Sequence, residues 1–179
     1  MRKGFLGAAA VVVVLSLGGC VSSAERNATA SYAVVGVAEL VNSAGQRVGT
    51  AELRQRGSAW SLALGVSGQT PGEHGMHLHE VGQCKGPDFA SAKGHLNPVG
   101  KGHGSQNPGG MHMGDLPNLT VSADGTASTI IAIPNSLDPA VLMDADGTAL
   151  VIHAGPDDYK TDPAGNSGPR VACGAFVSQ

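Results

Sequence analysis

The chain has few aromatic residues: one Trp, two Tyr and three Phe among 179. Large rings cannot fill its interior, so Val, Ile, Leu and Ala must do so. Charged residues are also sparse, at 14%, and no basic run occurs, which argues against nucleic acid as a partner. No internal repeat and no long amphipathic helical pattern is present, which excludes solenoids and helical bundles. The one long apolar run, Phe5 to Leu17, is too short for a membrane span. Glycine, by contrast, is abundant at 27 residues, with 10 prolines. So many turn formers in a chain of single-domain length suit an all-β domain.

Arg2 and Lys3 precede the apolar run, and Leu17-Gly18-Gly19-Cys20 follows it. This pattern resembles a bacterial lipoprotein signal, cleaved before the cysteine whose thiol then carries lipid; the alternative is an ordinary secretory signal. Both predict export. The expected organisation is a signal peptide at 1–19, a tether at 20–30 beginning with lipidated Cys20, and one domain at 31–179. The predicted localisation is extracytoplasmic, on a bacterial membrane. Without Arg2 and Lys3, nine basic residues face 14 acidic ones, a formal charge of −5. An anionic substrate would then need locally concentrated positive charge. With Cys20 lipidated, Cys84 and Cys173 remain. In an oxidising compartment such a pair reads as a disulfide, the alternative being two free thiols.

Strand signals occupy Tyr32 to Val41, Val48 to Arg54, Leu119 to Val121, Thr129 to Ile133, Leu150 to His153 and Val171 to Val177. Trp60, Leu62, Leu64 and Val66 alternate with small residues, a period of two. Asp124-Gly125 marks a hairpin. Short strands divided by turns predict an antiparallel sandwich or barrel. Two stretches, Gly82 to Leu116 and Ala154 to Pro169, break the spacing and are expected to be functional loops.

Six of the seven histidines fall between 74 and 112. On a strand, His77 and His79 would point to one face, so both imidazoles could reach one metal. His153, at the end of a strand, could complete that site. His95, His103, His112 and Asp115 make a plausible tetrahedral zinc set. Imidazole suits copper and zinc alike. A histidine-rich scavenging tract would be contiguous and repetitive, whereas these histidines are dispersed over distinct elements.

These residues resemble the copper–zinc superoxide dismutases. His74-Gly75-Met76-His77-Leu78-His79-Glu80 is similar to the family's HGFHVHE strand, and His95-Leu96-Asn97-Pro98 to its HFNP. His103-Gly104 resembles HGG, His112-Met113-Gly114-Asp115-Leu116 resembles HVGDL, and Leu150-Val151-Ile152-His153 resembles LVVH. Gly168-Pro169-Arg170-Val171-Ala172-Cys173-Gly174 resembles GSRLACG. The resemblance implies an eight-stranded Greek-key β-sandwich or flattened barrel that dismutes superoxide. It implies copper on His77, His79, His95 and His153, zinc on His95, His103, His112 and Asp115, and His95 bridging the two. Arg170 would guide the anion, and Asp157 would link His77 to His103, with the adjacent Asp158 as an alternative. His74 would support the site without binding metal, and the Cys84–Cys173 pairing matches the family's disulfide.

Met76 and Leu96 stand where the family has aromatics. The loop from Ala154 to Pro169 is short, so the steering residues of longer forms have no match; Lys93, Lys101 and Lys160 are candidates for that role. Partners are expected to be superoxide and, through the lipid, a membrane, with the protein a monomer or homodimer. Two rival functions are a metal-buffering protein on this fold and a zinc hydrolase. The latter needs an open zinc position that the proposed four-ligand set would close.

Overall fold

The computed structural model describes residues 31–133 and 139–179. The predicted signal peptide, Cys20 and the tether to residue 30 lie outside the described residues. Among the described residues there are nine strands: β1 (Ala33–Asn42), β2 (Arg47–Arg56), β3 (Ala59–Val66), β4 (Gly72–His74), β5 (Met76–His79), β6 (Leu119–Val121), β7 (Ala127–Ile133), β8 (Ala149–His153) and β9 (Arg170–Ser178). A single helical turn, α1 (Pro139–Leu142), precedes β8. Seven strands form one antiparallel sheet in the order β5-β8-β9-β1-β2-β3-β7, and β4 pairs with β6 in a second sheet.

Local chemistry explains the hairpins. Asn42 closes the β1–β2 turn, its Oδ1 accepting from the amides of Ala44 and Gln46, both at 3.0 Å. Asp124 does the same for β6–β7, accepting from the Thr126 amide at 3.0 Å and its hydroxyl at 2.8 Å. Along β3, Trp60, Leu62, Leu64 and Val66 are buried, as their alternation predicts. They join Leu40, Leu53, Leu78, Leu119, Leu150 and Ile152 in one core with few rings.

The expected count of eight strands becomes nine because one strand breaks at Gly75 into β4 and β5. A Cβ at Gly75 would lie 2.8 Å from the Ser167 Cβ and 3.2 Å from the Asp157 Cβ. The loop 154–169 thus sits against the break. There the chain leaves β6 as its partner and takes up β8.

All five residues of β8 are buried. Leu150 and Ile152 face the main core, while Ala149 and Val151 face a second cluster with Phe89, Ala92 and Cys173. The residues that follow β5 fold over this far side and are tied down by a Cys84–Cys173 disulfide, with a Cα–Cα distance of 5.6 Å and a sequence separation of 89. Such a bridge stabilises mainly by restricting the unfolded chain. Its reduction is therefore expected to lower the unfolding free energy by about 4 kcal/mol. Denaturant titration with and without reductant measures this, and superimposable curves would contradict it.

Candidate metal centre

The centre is assembled on the free edge of the seven-stranded sheet. β5 is an edge strand, and its outer side is taken by the histidine-rich loop. The Leu78 amide donates to the Gly114 carbonyl at 2.8 Å, and the Leu78 carbonyl accepts from the Leu96 amide at 2.8 Å. The Gly114 amide donates to Leu96 O at 2.9 Å, tying the two loop strands together. Short bridges consequently set His79 against His95 and His77 against Asp115. β8, on the other side of β5, brings in His153.

His77, His79, His95 and His153 are all buried, and one nitrogen of each lies within 4.8 Å of the others. The partners of their second nitrogens decide the tautomers. His79 Nδ1 faces the Lys93 carbonyl at 2.9 Å, and His153 Nδ1 faces the Gly168 carbonyl at 2.8 Å. A carbonyl only accepts, so both Nδ1 atoms carry the proton and both Nε2 atoms are bare lone pairs. His77 Nε2 donates to Asp157 Oδ2 at 2.8 Å, which leaves its Nδ1 bare. His77 Nδ1, His79 Nε2, His95 Nε2 and His153 Nε2 are buried without a hydrogen-bond partner. Four converging, desolvated lone pairs are costly unless a cation joins them, and imidazole donors suit copper and zinc alike.

A second set lies on the other side of the His95 ring. Asp115 Oδ1 is 2.8 Å from His95 Nδ1, 3.1 Å from His103 Nδ1 and 3.2 Å from His112 Nδ1. His112 Nδ1 is 3.2 Å from His95 Nδ1. A tetrahedron with zinc–ligand bonds of about 2.0–2.1 Å has edges of about 3.3 Å, close to these separations. His103 makes the demand explicit. Its Nε2 donates to Asp157 Oδ1 at 2.9 Å, so its Nδ1 lone pair points at a carboxylate oxygen. Two acceptors in contact need a cation between them. His77 also comes within reach of this set because its ring stacks on His95, with centroids 3.9 Å apart. Its Nε2, however, belongs to Asp157.

Burial, the largest influence, lowers the pKa values of His77 and His153 to about 4 and that of His79 to about 2, from an ordinary 6.5. It lowers the His95 value as well. Burial pushes the Asp115 carboxyl up, but the His95 contact and the Gly104 amide outweigh it and hold the pKa at about 2. Asp157 is likewise pushed up by burial, yet donors from His77, His103 and the Tyr159 amide keep it well below the usual carboxylate range. His77, His79, His95 and His153 are thus neutral, and Asp115 and Asp157 charged, at pH 7.

Asp157, buried between the two sets, holds one histidine of each. Asp158 instead closes the loop's own turn, accepting from the Lys160 and Thr161 amides at 3.0 and 2.8 Å and from Asn166 at 3.0 Å. His74 supplies no ligand: its Nδ1 is 2.6 Å from the His153 carbonyl and its Nε2 is 2.8 Å from the Thr70 carbonyl. Arg170 donates to the carbonyls of Phe89, at 2.7 Å, and Lys93. It lines an open depression of about 720 Å3 together with His153, Lys93, Asp88, Gly168 and Pro169. Lys93 is exposed on this rim, whereas Lys101 spends its ammonium on the Gly109 carbonyl at 2.9 Å. Sequence reasoning missed the carbonyls of Lys93 and Gly168, and also Asn118, whose side chain holds the Asp157 backbone. Backbone acceptors leave no mark in residue types.

An antiparallel sheet carrying two adjoining groups of buried histidine and aspartate donors has the make-up of a metalloprotein. Residues 47–176 match the family described as copper/zinc superoxide dismutase (SODC). The chain is 46% identical over 144 residues to a Cu-Zn superoxide dismutase of Aquifex aeolicus, covering 78% of this chain and 84% of that protein. It is 41% identical over 145 residues to a superoxide dismutase-like protein of Bacillus subtilis, covering 78% and 74%. The crystal structure of a SOD-like protein from Bacillus subtilis superposes with a TM-score of 0.76 at 40% identity, covering 82% of this chain and all of that one. The Cu/Zn superoxide dismutase of Brucella abortus gives 0.65 at 30% identity, again covering 82% of this chain and all of that one. The chain belongs to the copper/zinc superoxide dismutase family, and it is an oxidoreductase of superoxide that uses copper and zinc.

The low histidine pKa values have a consequence for the metal-free protein. Unfolded imidazoles take up protons below pH 6.5, while folded His77 and His153 resist until about 4. Stability is therefore complete above pH 6.5 and is lost as pH falls from there toward 4. Denaturant unfolding of chelated protein at pH 7, 5.5 and 4.5 should give steadily falling midpoints, and equal midpoints would refute the neutral-ring assignment.

Proposed function

We propose that this protein dismutes superoxide outside the cytoplasm, with His77, His79, His95 and His153 holding copper and His95, His103, His112 and Asp115 holding zinc. The observation that carries this reading is the set of four buried, partnerless ring nitrogens. One of them belongs to His95, whose other nitrogen lies 2.8 Å from Asp115 in the neighbouring set. His95 would therefore serve both metals. Bound copper supplies the one-electron couple that takes an electron from one superoxide and gives it to a second, yielding dioxygen and, with two protons, hydrogen peroxide. Zinc has no redox chemistry and has a structural part.

The chain's own residues do the rest. Asp157 fixes the tautomers of His77 and His103, so their bare nitrogens face inward. His95 Nε2 would bind copper or, when free of it, hold a proton for the product. Arg170 presents a permanently charged donor fork at the mouth of the depression. Its hydrogen bonds to two carbonyls, in place of a surface ion pair, aim that fork and leave its charge for an anion. The Leu17-Gly18-Gly19-Cys20 sequence supports export with lipidation at Cys20, which would place the activity against superoxide arising beyond the cytoplasmic membrane.

The direct test is superoxide consumption by residues 21–179 reconstituted with copper and zinc, against a zinc-only preparation. Fast consumption is expected only in the preparation that contains copper. Full metal occupancy without turnover would reduce the protein to metal binding. Arg170→Ala should lower the rate with copper content unchanged, and equal rates would remove its docking role.

Lys93 adds a second charge to the rim. Its backbone (φ 59°, ψ −138°) lies where glycine is favoured, so the lysine is kept at a conformational cost. Lys93→Gly should slow superoxide consumption about twofold at low ionic strength, converge with the parent at high salt, and leave thermal stability equal or higher. A salt dependence identical to the parent's would eliminate this contribution.

A further inference from the structure

Asp157 touches both donor sets, yet it sits on a loop with no regular structure. Its position must therefore come from other contacts. Two residues outside both sets provide them. Asn118, at the entry to β6, clasps the Asp157 backbone: its Nδ2 donates to Asp157 O at 3.0 Å, and its Oδ1 accepts from the Asp157 amide at 2.9 Å. This is the pairing of two β-strand neighbours, made by a side chain. Tyr159 works from the other side. Its amide donates to Asp157 Oδ1 at 2.6 Å, and its hydroxyl accepts from the Asn118 amide at 2.8 Å.

Tyr159 reaches both partners only because its backbone is left-handed, with φ 63°. That conformation is uncommon for a bulky residue and has to be imposed by its surroundings. The zinc-side loop imposes it. The Tyr159 carbonyl accepts from the Gln106 amide at 3.0 Å, and the chain at Tyr159 lies so close to Gly104 that a Cβ there would be 2.0 Å from that carbonyl. Gly104 in turn donates its amide to Asp115 Oδ2 at 2.8 Å. A closed circuit runs from Asp115 through Gly104 and Tyr159 to Asn118 and Asp157.

We propose that Asn118 and Tyr159 form one positioning pair for Asp157, which sets the orientation of His77 and His103 together and so couples the two metal sites. This inference rests on the metal reading of the two donor sets. The Asn118 amide and the Tyr159 hydroxyl bond to backbone groups and to no ring or carboxylate of either set, so their effect should appear in both sites at once. That outcome is not expected of a residue that only stabilises the loop.

The test uses the full exported chain with Zn2+ and Cu2+ as probes. Zinc affinity is read by competition with a chromophoric chelator, and the copper environment by electron paramagnetic resonance of the copper(II)-loaded protein. Asn118→Ala should weaken zinc about tenfold, the low end for groups that orient metal ligands, and should alter the copper(II) hyperfine pattern. Tyr159→Phe, which removes only the hydroxyl, should change both in the same direction by less. The double variant should match Asn118→Ala, because the two residues act on one group. Parental zinc affinity and an unchanged copper(II) spectrum in folded Asn118→Ala would overturn the proposal, even if thermal stability fell. Should Asn118→Ala fail to fold, parental values in Tyr159→Phe would overturn it instead. Failure of the parent chain itself to bind zinc would count against the metal assignment and is thereby distinguished.

Discussion

The structure depends on keeping buried imidazoles neutral with their lone pairs aimed inward. A histidine in an apolar interior loses water from both nitrogens, and only one of them can carry the proton. A ring that turns one nitrogen to the centre therefore needs an acceptor behind the other, and four of the rings have one. Lys93 and Gly168 give carbonyls to His79 and His153, and Asp157 gives one oxygen each to His77 and His103. Those acceptors lie in the two long loops. The loops are thus what prepares the donor sets for metal, while the sheet sets the spacing of β5 and β8.

Much of this was legible in the residues. The alternation in β3 and the valine-rich β1 identified strands because burial on one face leaves a period of two. The loop 154–169 is legible to its ends, since β8 stops at His153 and β9 starts at Arg170. The break at Gly75 was not legible. Its cause is the approach of Ser167 and Asp157, some eighty or ninety positions away in the chain, and no local pattern records that. Residue types left Asp157 and Asp158 as alternatives. Geometry separates them, since Asp158 is occupied with its own turn. The histidines could be grouped by spacing, but which nitrogen of each is bare follows only from backbone carbonyls.

The rim of the depression shows a second balance. A chain of formal charge −3 repels an anion at long range, and the favourable charge is local. Arg170 and Lys93 meet there through a shared carbonyl, that of Lys93, which accepts from Arg170 and from His79. The residue that carries one cation also aims the other and holds a ring of the centre. Cys173 lies on the strand that begins with Arg170, and its disulfide to Cys84 ties the same loop to that strand. The geometry of the mouth is therefore fixed by covalent as well as polar contacts.

The histidine-rich loop has an effect on solubility. β5 lies at the margin of a seven-stranded sheet, where an uncovered strand would offer its amides and carbonyls to any other chain. Leu78 gives both of its outward groups to Gly114 and Leu96 instead. The loop that gathers the donors also occupies the surface on which two copies would otherwise add strand to strand. Selection for a well-ordered centre is then, at the same residues, selection against aggregation.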